Sequence, residues 1–242
     1  DAAGLPVALH RKSRLDTNII IEEFMLLTNE TVAKHVGQVL AGKGGNPIFV
    51  FRVHEKPDRM SIQELVSVAN AFGVNMPLPK RITPFIIQKL ARNIKNHPAA
   101  PILESSILRA MMKAKYTTEN IGHFGLAYKY YTHFTSPIRR YPDVMVHRLL
   151  KQYQAGKRAI IKQEQLEKIC QQNTRSEITA QEAERDSIKL KQVEFMERHL
   201  SDVFEGYISR IVQFGLFVHV PEFLIDGLVH VSSLDDDYYI YD

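Results

Sequence analysis

The chain has 242 residues, of which 45% are hydrophobic and 24% charged, as in a globular protein with one sizeable core and a small second unit. Its net charge of +4 is compatible with a nucleic-acid partner without requiring one. The single cysteine excludes an internal disulfide, and no apolar run reaches the roughly 18–20 residues of a membrane span. These features favour a cytoplasmic protein that contacts no membrane. We also expect the protein to be a monomer.

The N-terminal quarter alternates helical patterns with turn signals. Residues 1–14 predict a hairpin, because turn-forming residues precede a weak alternation. Apolar side chains recur at helical spacing over residues 17–39, and the glycine-rich stretch 41–47 ends that helix. The β-branched and aromatic run 48–53 predicts a buried strand. Ser61, with Glu64 three residues later, predicts the capping box of another helix.

The rest of the chain changes from helical to strand periodicity. Helices are predicted at 85–94 and 104–115, followed by an extended aromatic stretch at 123–134. A long polar helix is predicted over about 162–200. From Val203 the period becomes two, which predicts two strands broken at Gly215 and a third at 228–231. The fold class is therefore α+β, a helix-rich part followed by a small β-unit.

The most informative segment is HFTSPIRRYPD, residues 133–143. Ser136 can cap a helix whose first turn holds a proline. On that helix Arg139, Asp143 and His147 fall four residues apart and share one face. A guanidinium can hold a phosphate bidentately, and a neighbouring acid can fix its orientation. The stripe predicts a phosphodiester clamp.

Two other interpretations of this segment stay open. The ring of Pro142 clashes with a helical carbonyl four residues earlier, so the first turn could be separate and a second helix could start at the proline. Alternatively, the segment is a surface amphipathic helix with ordinary charge pairs.

The segment resembles the signature of the ribonuclease II / ribonuclease R family, RNB-domain exoribonucleases that digest RNA from its 3′ end. The resemblance extends to residues 21–29, 51–57 and 122–127. Residues 203–242 resemble the ribosomal-protein-type OB-fold module that follows the catalytic domain in these enzymes, and the stretch 226–234 is especially similar to ribonuclease R. The resemblance to this family covers nearly all of the chain.

The resemblance implies two domains. Residues 1–200 are expected to be the helix-rich C-terminal part of the RNB catalytic domain. Residues 201–242 are expected to be the first part of an OB-fold RNA-binding barrel, which has five strands when complete. Water would attack the terminal phosphodiester of single-stranded RNA with metal assistance, and nucleoside 5′-monophosphates would be released processively.

One feature of the family is missing from this sequence. Its magnesium-binding aspartate cluster normally precedes the segment matched by residues 21–29, yet Asp1 and Asp16 are isolated here. The densest acidic run, 235–237, lies in the terminal module. We therefore expect a fragment whose Mg²⁺ ligands are absent from the chain, and which is inactive alone.

The resemblance assigns catalytic roles to the paired arginines. Arg139 is expected to be the catalytic arginine, with Arg140 holding an adjacent phosphate or a structural carboxylate. A glutamate of the pair Glu22 and Glu23 is expected near the 3′-terminal ribose, where a carboxylate can accept hydrogen bonds from hydroxyl groups. These adjacent residues point about 100° apart on a helix, so they do not act as one pair. Glu184 is a weaker candidate for the same end of the substrate.

The remaining candidates are expected to contact RNA outside the point of cleavage. Positive charge and stacking surfaces suit single-stranded nucleic acid. In the first domain these candidates are Arg52, His54, Tyr131, Phe134 and Ser136. In the terminal module they are Tyr207, Arg210, Phe214, Phe217 and His230. The histidines 123, 133 and 147 match no common zinc spacing and are expected to make structural hydrogen bonds.

Two non-enzymatic readings remain. A non-catalytic RNA-binding subunit with a degenerate RNB domain would keep the arginines and the barrel, whereas a structural interaction module would lack salt-dependent affinity for RNA.

Overall fold

The computed structural model describes residues 4–10, 13–40, 47–235, 237 and 239, and it confirms the α+β class. The α-helices are α1 (Asp16–Lys34), α2 (Arg59–Ala71), α3 (Pro84–Ile94), α4 (Ala100–Ala110), α5 (Tyr141–Gln154) and α6 (Gln163–Met196). The strands are β1 (Phe51–Val53), β2 (Lys115–Thr117), β3 (Tyr207–Val212), β4 (Gly215–Val220) and β5 (Ile225–His230). A π-helical segment, His35–Leu40, continues α1. No helix in the described part is long and apolar enough to cross a membrane.

The chain divides into two compact units. The larger unit comprises Asp16–Ile178, and the smaller comprises Asp1–Leu15 with Thr179–Asp242. Helix α6 is continuous, and its residues belong to the larger unit up to Ile178 and to the smaller unit from Thr179 onwards.

The larger unit holds two hydrophobic cores. One lies among α2, α3 and α4, because each helix buries the apolar stripe that its periodicity predicts; its fully buried members include Ile62, Leu103 and Ile94. The other packs the short antiparallel β1–β2 pair against α5 and α6, with Phe49, Val146, Leu149, Leu166 and Cys170 fully or almost fully buried. The second core supports the predicted site.

Several predicted boundaries are wrong. The described residues up to 15 contain no strand, so the N-terminal hairpin is absent there. Helix α2 begins two residues before Ser61, and Asp58 is its N-cap, accepting hydrogen bonds from the Ser61 amide and hydroxyl at 2.8 and 2.9 Å. A carboxylate at this position satisfies an orphan amide as well as a serine does. The helix predicted to reach residue 115 ends at Ala110, and residues 115–117 form β2.

The smaller unit contains the three-stranded antiparallel sheet β3–β4–β5. The strand period predicted from Val203 is confirmed, although β5 starts at Ile225 and not at residue 228. A register shift between Ile208 and Arg210 is a β-bulge. Gly215 is required at the start of β4, because an added Cβ would lie 2.2 Å from the carbonyl oxygen of Val229.

Cys170 lies inside the second core of the larger unit and is fully buried. Burial raises the pKa of its thiol to about 12. The thiol is therefore neutral and acts as a small apolar side chain.

Candidate active site

The signature segment forms a tight turn followed by a helix. The carbonyl oxygen of Ser136 accepts hydrogen bonds from the amides of Arg139 and Arg140 at 3.3 and 3.0 Å. Helix α5 then begins at Tyr141, with Pro142 in its first turn and Arg140 as its N-cap residue. The first turn is therefore separate from the helix, as the interpretation with a second helix near Pro142 predicts, although α5 begins one residue before the proline. Ser136 does not cap this helix.

The buried carboxylate of Asp143 holds this turn in place through hydrogen bonds. Its side chain is completely buried, and Oδ2 accepts hydrogen bonds from the Ser136 amide at 2.7 Å and from Arg140 Nη2 at 2.9 Å. Its position in the first turn of α5 also suits the positive end of the helix dipole. Among the described atoms, Asp143 Oδ1 and Arg140 Nε are buried without a hydrogen-bond partner. The carboxylate thus holds both ends of the turn.

The two arginines are placed differently. Arg140 is mostly buried and holds a structural carboxylate, one of the two roles expected of it. Arg139 is exposed, and no ion pair of its guanidinium is seen among the described residues. Because Arg139 precedes the helix, the predicted stripe with Asp143 and His147 on one helical face is wrong for Arg139. The role of Arg139 toward phosphate stays a prediction.

A hydrogen-bond network joins the turn to helix α1. His147 Nε2 lies 2.9 Å from the carbonyl oxygen of Phe134, and the two rings stack at 3.9 Å between centroids. The Phe134 amide donates to Asn29 Oδ1 at 3.0 Å, and Asn29 Nδ2 donates to the Tyr131 hydroxyl at 3.1 Å. Asn29 and Tyr131 are 3% and 4% exposed. The predicted site residues Tyr131 and Phe134 are therefore brought together by Asn29, which the sequence analysis did not identify.

Arg52 is bound within the larger unit. Its guanidinium donates to both carboxylate oxygens of Glu177 on α6, at 2.6 and 3.1 Å. It also lies 4.5 Å from the centre of the Tyr116 ring. A bidentate, stacked guanidinium of this kind is fixed in orientation. The structure thus gives Arg52 a packing role, and its contact with RNA stays a prediction.

Histidines and tyrosines form an aromatic cluster that reaches His133, three residues before the turn, and consists of His54, Tyr116, His123, Tyr131 and His133. The rings of His54 and His123 stack at 5.1 Å, and His123 contacts Tyr131 at 5.2 Å. Tyr131 contacts His133 at 5.7 Å, and His133 Nδ1 lies 2.7 Å from the Tyr116 hydroxyl. Each of the three histidines therefore has aromatic neighbours.

Burial keeps these histidines neutral. Burial lowers the pKa of His133 to about 2, helped by the positive charges of Arg140 and Arg52. It likewise lowers the pKa of His123 to about 4, with His54 and Arg52 adding repulsion, and it also lowers the pKa of His54. His54 Nδ1 accepts from the Gly125 amide at 3.2 Å, and His123 Nδ1 accepts from the Leu126 amide at 3.2 Å.

The glutamate candidates lie on two different units. Glu22 and Glu23 are on α1 in the larger unit, where Glu22 is half-buried and Glu23 exposed. The pKa of Tyr128 is raised by burial and then by the negative charges of Glu30 and Glu23. Glu184 is an exposed residue of α6 in the smaller unit. Their contacts with substrate stay predictions.

The described residues contain no group of three His, Cys, Asp or Glu side chains placed to hold a metal ion. The acidic run 235–237 lies partly outside the described residues, because residue 236 is not described.

The candidates of the terminal module share one sheet face. Arg210 pairs across the sheet with Phe217, and Tyr207 pairs with His219. Residues opposite each other in a ladder point to the same side, and the bulge lets Tyr207 and Arg210 do so despite their odd spacing. His230, opposite Gly215, is on this face as well.

This sheet face presents both charge and aromatic surface. The Arg210 guanidinium lies 4.2 Å from the centre of the Phe217 ring, and Phe214, half-exposed, meets that ring edge-on at 6.4 Å. His230 Nδ1 lies 2.8 Å from the Ser232 hydroxyl. Exposed rings beside a guanidinium suit stacked bases and a phosphate backbone.

Comparison with known proteins gives two family matches. A model described as the RNB domain matches residues 1–156, and one described as the S1 RNA binding domain matches residues 200–242. Ribonuclease R of Thermotoga maritima is 43% identical over 100% of this chain, and Ribonuclease R of Escherichia coli is 37% identical over 97%. The chain spans 34% and 29%, respectively, of these relatives.

Solved structures give the same fold. Mycoplasma genitalium RNase R in complex with ribose methylated single-stranded RNA matches with a TM-score of 0.89 at 28% identity, over 100% of this chain and 38% of that one. The structure of the same enzyme in complex with double-stranded RNA matches with a TM-score of 0.80, over 94% of this chain and 40% of that chain. Yeast Ssd1, described as a pseudonuclease, shares the fold alone. It matches with a TM-score of 0.74 at 24% identity, over 90% of this chain and 27% of that chain. The chain belongs to the RNB domain family, and an S1 RNA binding domain match follows its RNB segment.

Proposed function

We propose that this chain is the part of a 3′→5′ exoribonuclease that binds single-stranded RNA and presents an arginine to the scissile phosphate. The observation that carries the proposal is the placement of Arg139 on a turn held by the buried carboxylate of Asp143. The turn fixes the backbone of Arg139 and leaves its guanidinium exposed to a ligand. A guanidinium beside the phosphate stabilises the negative charge that grows there. The family match supports the same reaction class.

The reaction is hydrolysis of the terminal phosphodiester. Water attacks phosphorus, the bond from phosphorus to the 3′ oxygen breaks, and a nucleoside 5′-monophosphate leaves while the shortened RNA keeps a 3′-hydroxyl. Arg139 holds the non-bridging oxygens and stabilises their added negative charge. Release of one nucleotide after another without dissociation makes the enzyme processive.

Magnesium belongs to this proposal but not to the described residues. The described residues hold no group of three His, Cys, Asp or Glu side chains placed for a metal ion. The proposal is that the Mg²⁺ of the complete enzyme takes its ligands from residues outside this chain, and none of the steps above is assigned to a metal. When bound, such an ion would activate the attacking water. This chain alone is therefore expected to bind RNA without hydrolysing it.

The remaining roles follow the domain proposal. Residues 1–200 form part of the RNB catalytic domain and residues 201–242 part of the OB-type barrel. A carboxylate of Glu22 or Glu23 binds the terminal ribose, and the sheet face with Tyr207, Arg210 and Phe217 guides the RNA. We also propose that the protein is a monomer and acts in the cytoplasm.

The test is hydrolysis of a single-stranded RNA labelled on its 3′-terminal nucleotide, in the presence of magnesium. The chain is assayed alone and in a form extended upstream to the length of its relatives. Label release by the extended form only supports the proposal. Release by neither form, with RNA binding intact, would replace it by a non-catalytic RNA-binding subunit. Release by this chain alone would mean that the metal ligands lie within it.

A further inference from the structure

A cleft in the larger unit, separate from the Arg139 turn, carries its own charge. It has a volume of about 1190 Å³ and lies among the ends of β1, α3 and the loop 120–129. Its cations are Lys56, Arg81 and Lys129, all exposed, and none has an ion pair in the described part of the chain.

The acidic residues of the cleft are already engaged. Glu55 forms an ion pair with Lys115, which holds the pKa of Glu55 below its usual range. Asp58 caps α2 through the Ser61 amide and hydroxyl. The partners of Asp58 are neutral groups, so its carboxylate keeps its negative charge, whereas Glu55 is paired with Lys115. Three cations therefore face one carboxylate that is not in an ion pair, and an anionic ligand would meet a net positive charge in the cleft.

Helix α3 begins at this cleft. Its N-cap residue, Thr83, makes no side-chain cap hydrogen bond, and Pro84 occupies the first turn. The start of an eleven-residue helix carries partial positive charge, which adds to the field of the three cations.

An apolar pocket adjoins the charged cleft. It has a volume of about 380 Å³ and shares Phe85, Phe124 and Ala127 with the cleft. Its other walls include Ile87 and Met111. The Phe85 side chain is 64% exposed, so a flat ring can stack on it without rearrangement. A phosphate site beside an apolar, aromatic pocket has the two chemistries that a nucleotide presents.

The cleft is connected to the Arg139 turn through the aromatic cluster. His54 and His123 line the cleft, and His123 contacts Tyr131, which in turn contacts His133, three residues before the turn. Ala127, which borders both cavities, has a positive φ of 58°, a conformation that is costly for a residue with a Cβ. The cavity wall is thus held in a specific, unfavourable backbone shape.

We infer that the cleft and its apolar pocket form a second contact site for single-stranded RNA, with Lys56, Arg81 and Lys129 on the phosphates and one base stacked on Phe85. The inference rests on the proposed function for its substrate class. An acidic polypeptide would match the charge but not the exposed ring beside an apolar pocket, so the nucleic acid is the favoured ligand.

Binding is measured by fluorescence anisotropy of a 5′-fluorescein-labelled oligouridylate on the 242-residue chain. The variants Lys56→Ala, Arg81→Ala and Lys129→Ala should each weaken binding and lower the salt slope by about 0.7. Phe85→Leu keeps an apolar side chain and removes the ring, and it should weaken binding between about fivefold and about a hundredfold. Lys113→Ala, an exposed lysine outside the cleft, is the matched control and should leave affinity unchanged.

A second readout locates the contact. An oligonucleotide containing 4-thiouridine is bound to the chain and the complex is irradiated. The crosslinked peptide is then identified by mass spectrometry. Crosslinks to residues 81–87 or 120–129 support the site. Cleft variants that behave like Lys113→Ala, together with crosslinks confined to other segments, would overturn it.

The two proposals fail separately. In the upstream-extended protein, the cleft variants should raise KM and leave kcat unchanged, because the contact is remote from the reacting phosphate. If no form hydrolyses RNA while the cleft still crosslinks, the reaction is wrong and the site stands. If hydrolysis proceeds and the cleft variants change neither KM nor affinity, the site is wrong and the reaction stands.

Discussion

Arg140 donates to the buried carboxylate of Asp143 at 2.9 Å, while the adjacent Arg139 faces solvent. Two neighbouring arginines thus have opposite surroundings, and their replacement should have different consequences. One stabilises the turn, and the other is available to a ligand.

Replacing Arg139 by alanine should abolish most hydrolysis and leave stability intact. In the upstream-extended protein we expect kcat to fall by about 10²–10³, the cost of removing a preorganised donor. The free energy of unfolding should change by less than about 0.5 kcal/mol, because the side chain is exposed. Single-turnover kinetics and urea unfolding measure the two effects. Arg158→Ala, an exposed arginine elsewhere, is the control, and an equal loss of kcat there would remove the special role of Arg139.

Replacing Asp143 by alanine should destabilise the fold. The change leaves the mostly buried Arg140 without its partner, which costs about 3–5 kcal/mol in comparable buried pairs. Asp143→Asn should cost less, since an amide oxygen can still accept from the Ser136 amide. Urea unfolding gives the values, with the exposed Asp186→Ala as control. If Asp143→Ala lowers the free energy of unfolding by no more than the control does, the ion pair does not hold the turn.

Arg52 and Glu177 should be energetically coupled. Their side chains are 11% and 24% exposed and make a bidentate contact between β1 and α6. A double-mutant cycle of Arg52→Ala and Glu177→Ala should give a coupling energy of about 0.5–3 kcal/mol. Strict additivity would contradict the structure. If Arg52 also binds RNA, Arg52→Lys should lower affinity for RNA by more than Glu177→Gln does.

Mild acid should destabilise the larger unit through its buried histidines. The pKa values of His123 and His133 are about 4 and about 2 in the folded chain, against 6.5 for an unperturbed histidine. At a pH between the folded and the unperturbed pKa of a histidine, the unfolded chain binds more protons than the folded chain. The free energy of unfolding therefore falls as pH falls below 6.5. The slope is at most about 1.4 kcal/mol per pH unit for each histidine.

Urea unfolding between about pH 5 and neutral pH measures this slope, because the perturbed carboxyl groups titrate at lower pH. Glu55 and Glu167, with pKa values lowered from 4.5, add stability that is lost only under more acidic conditions. His133→Gln should flatten the slope, whereas His10→Gln, at an exposed position, is the control. An unchanged slope in His133→Gln would mean that His133 is not the titrating group.

The sheet face of the smaller unit should bind RNA by stacking. Phe217→Ala should reduce affinity for single-stranded RNA by about 1–3 kcal/mol, the range for a base–aromatic contact. Ile208 lies opposite Val218, on the other face of the sheet, and is 45% exposed. Ile208→Thr is therefore the matched control. Equal effects of the two substitutions, measured by anisotropy, would indicate a general loss of structure.

Periodicity predicts most helices because each buries one continuous apolar stripe. Helices α3 and α6 lie within one or a few residues of their expected bounds. The start of α2 is misplaced because Asp58 and Ser61 can each cap a helix, and the sequence does not say which one is used. Residues 111–117 leave the helical pattern because β2 pairs with β1, a strand more than sixty residues earlier.

The candidate site is only partly visible in the sequence. The local motif identifies the arginines and Asp143, but a pairing of Arg139 with Asp143 assumes an uninterrupted helix, which Pro142 does not permit. The partners Asn29 and Tyr131 are separated by 102 positions, and Arg52 and Glu177 by 125. No short-range pattern encodes such contacts. They follow from packing of helices α1 and α6 around the β1–β2 pair.

The buried thiol of Cys170 makes the chain convenient for site-specific spectroscopy. With a pKa of about 12 and no exposed surface, it should not react with maleimide reagents at neutral pH. A cysteine introduced at Ile138, which is fully exposed next to Arg139, would then be the sole labelled position. A fluorophore or spin label there could follow the arrival of an RNA end at the turn in real time, without first removing the natural cysteine.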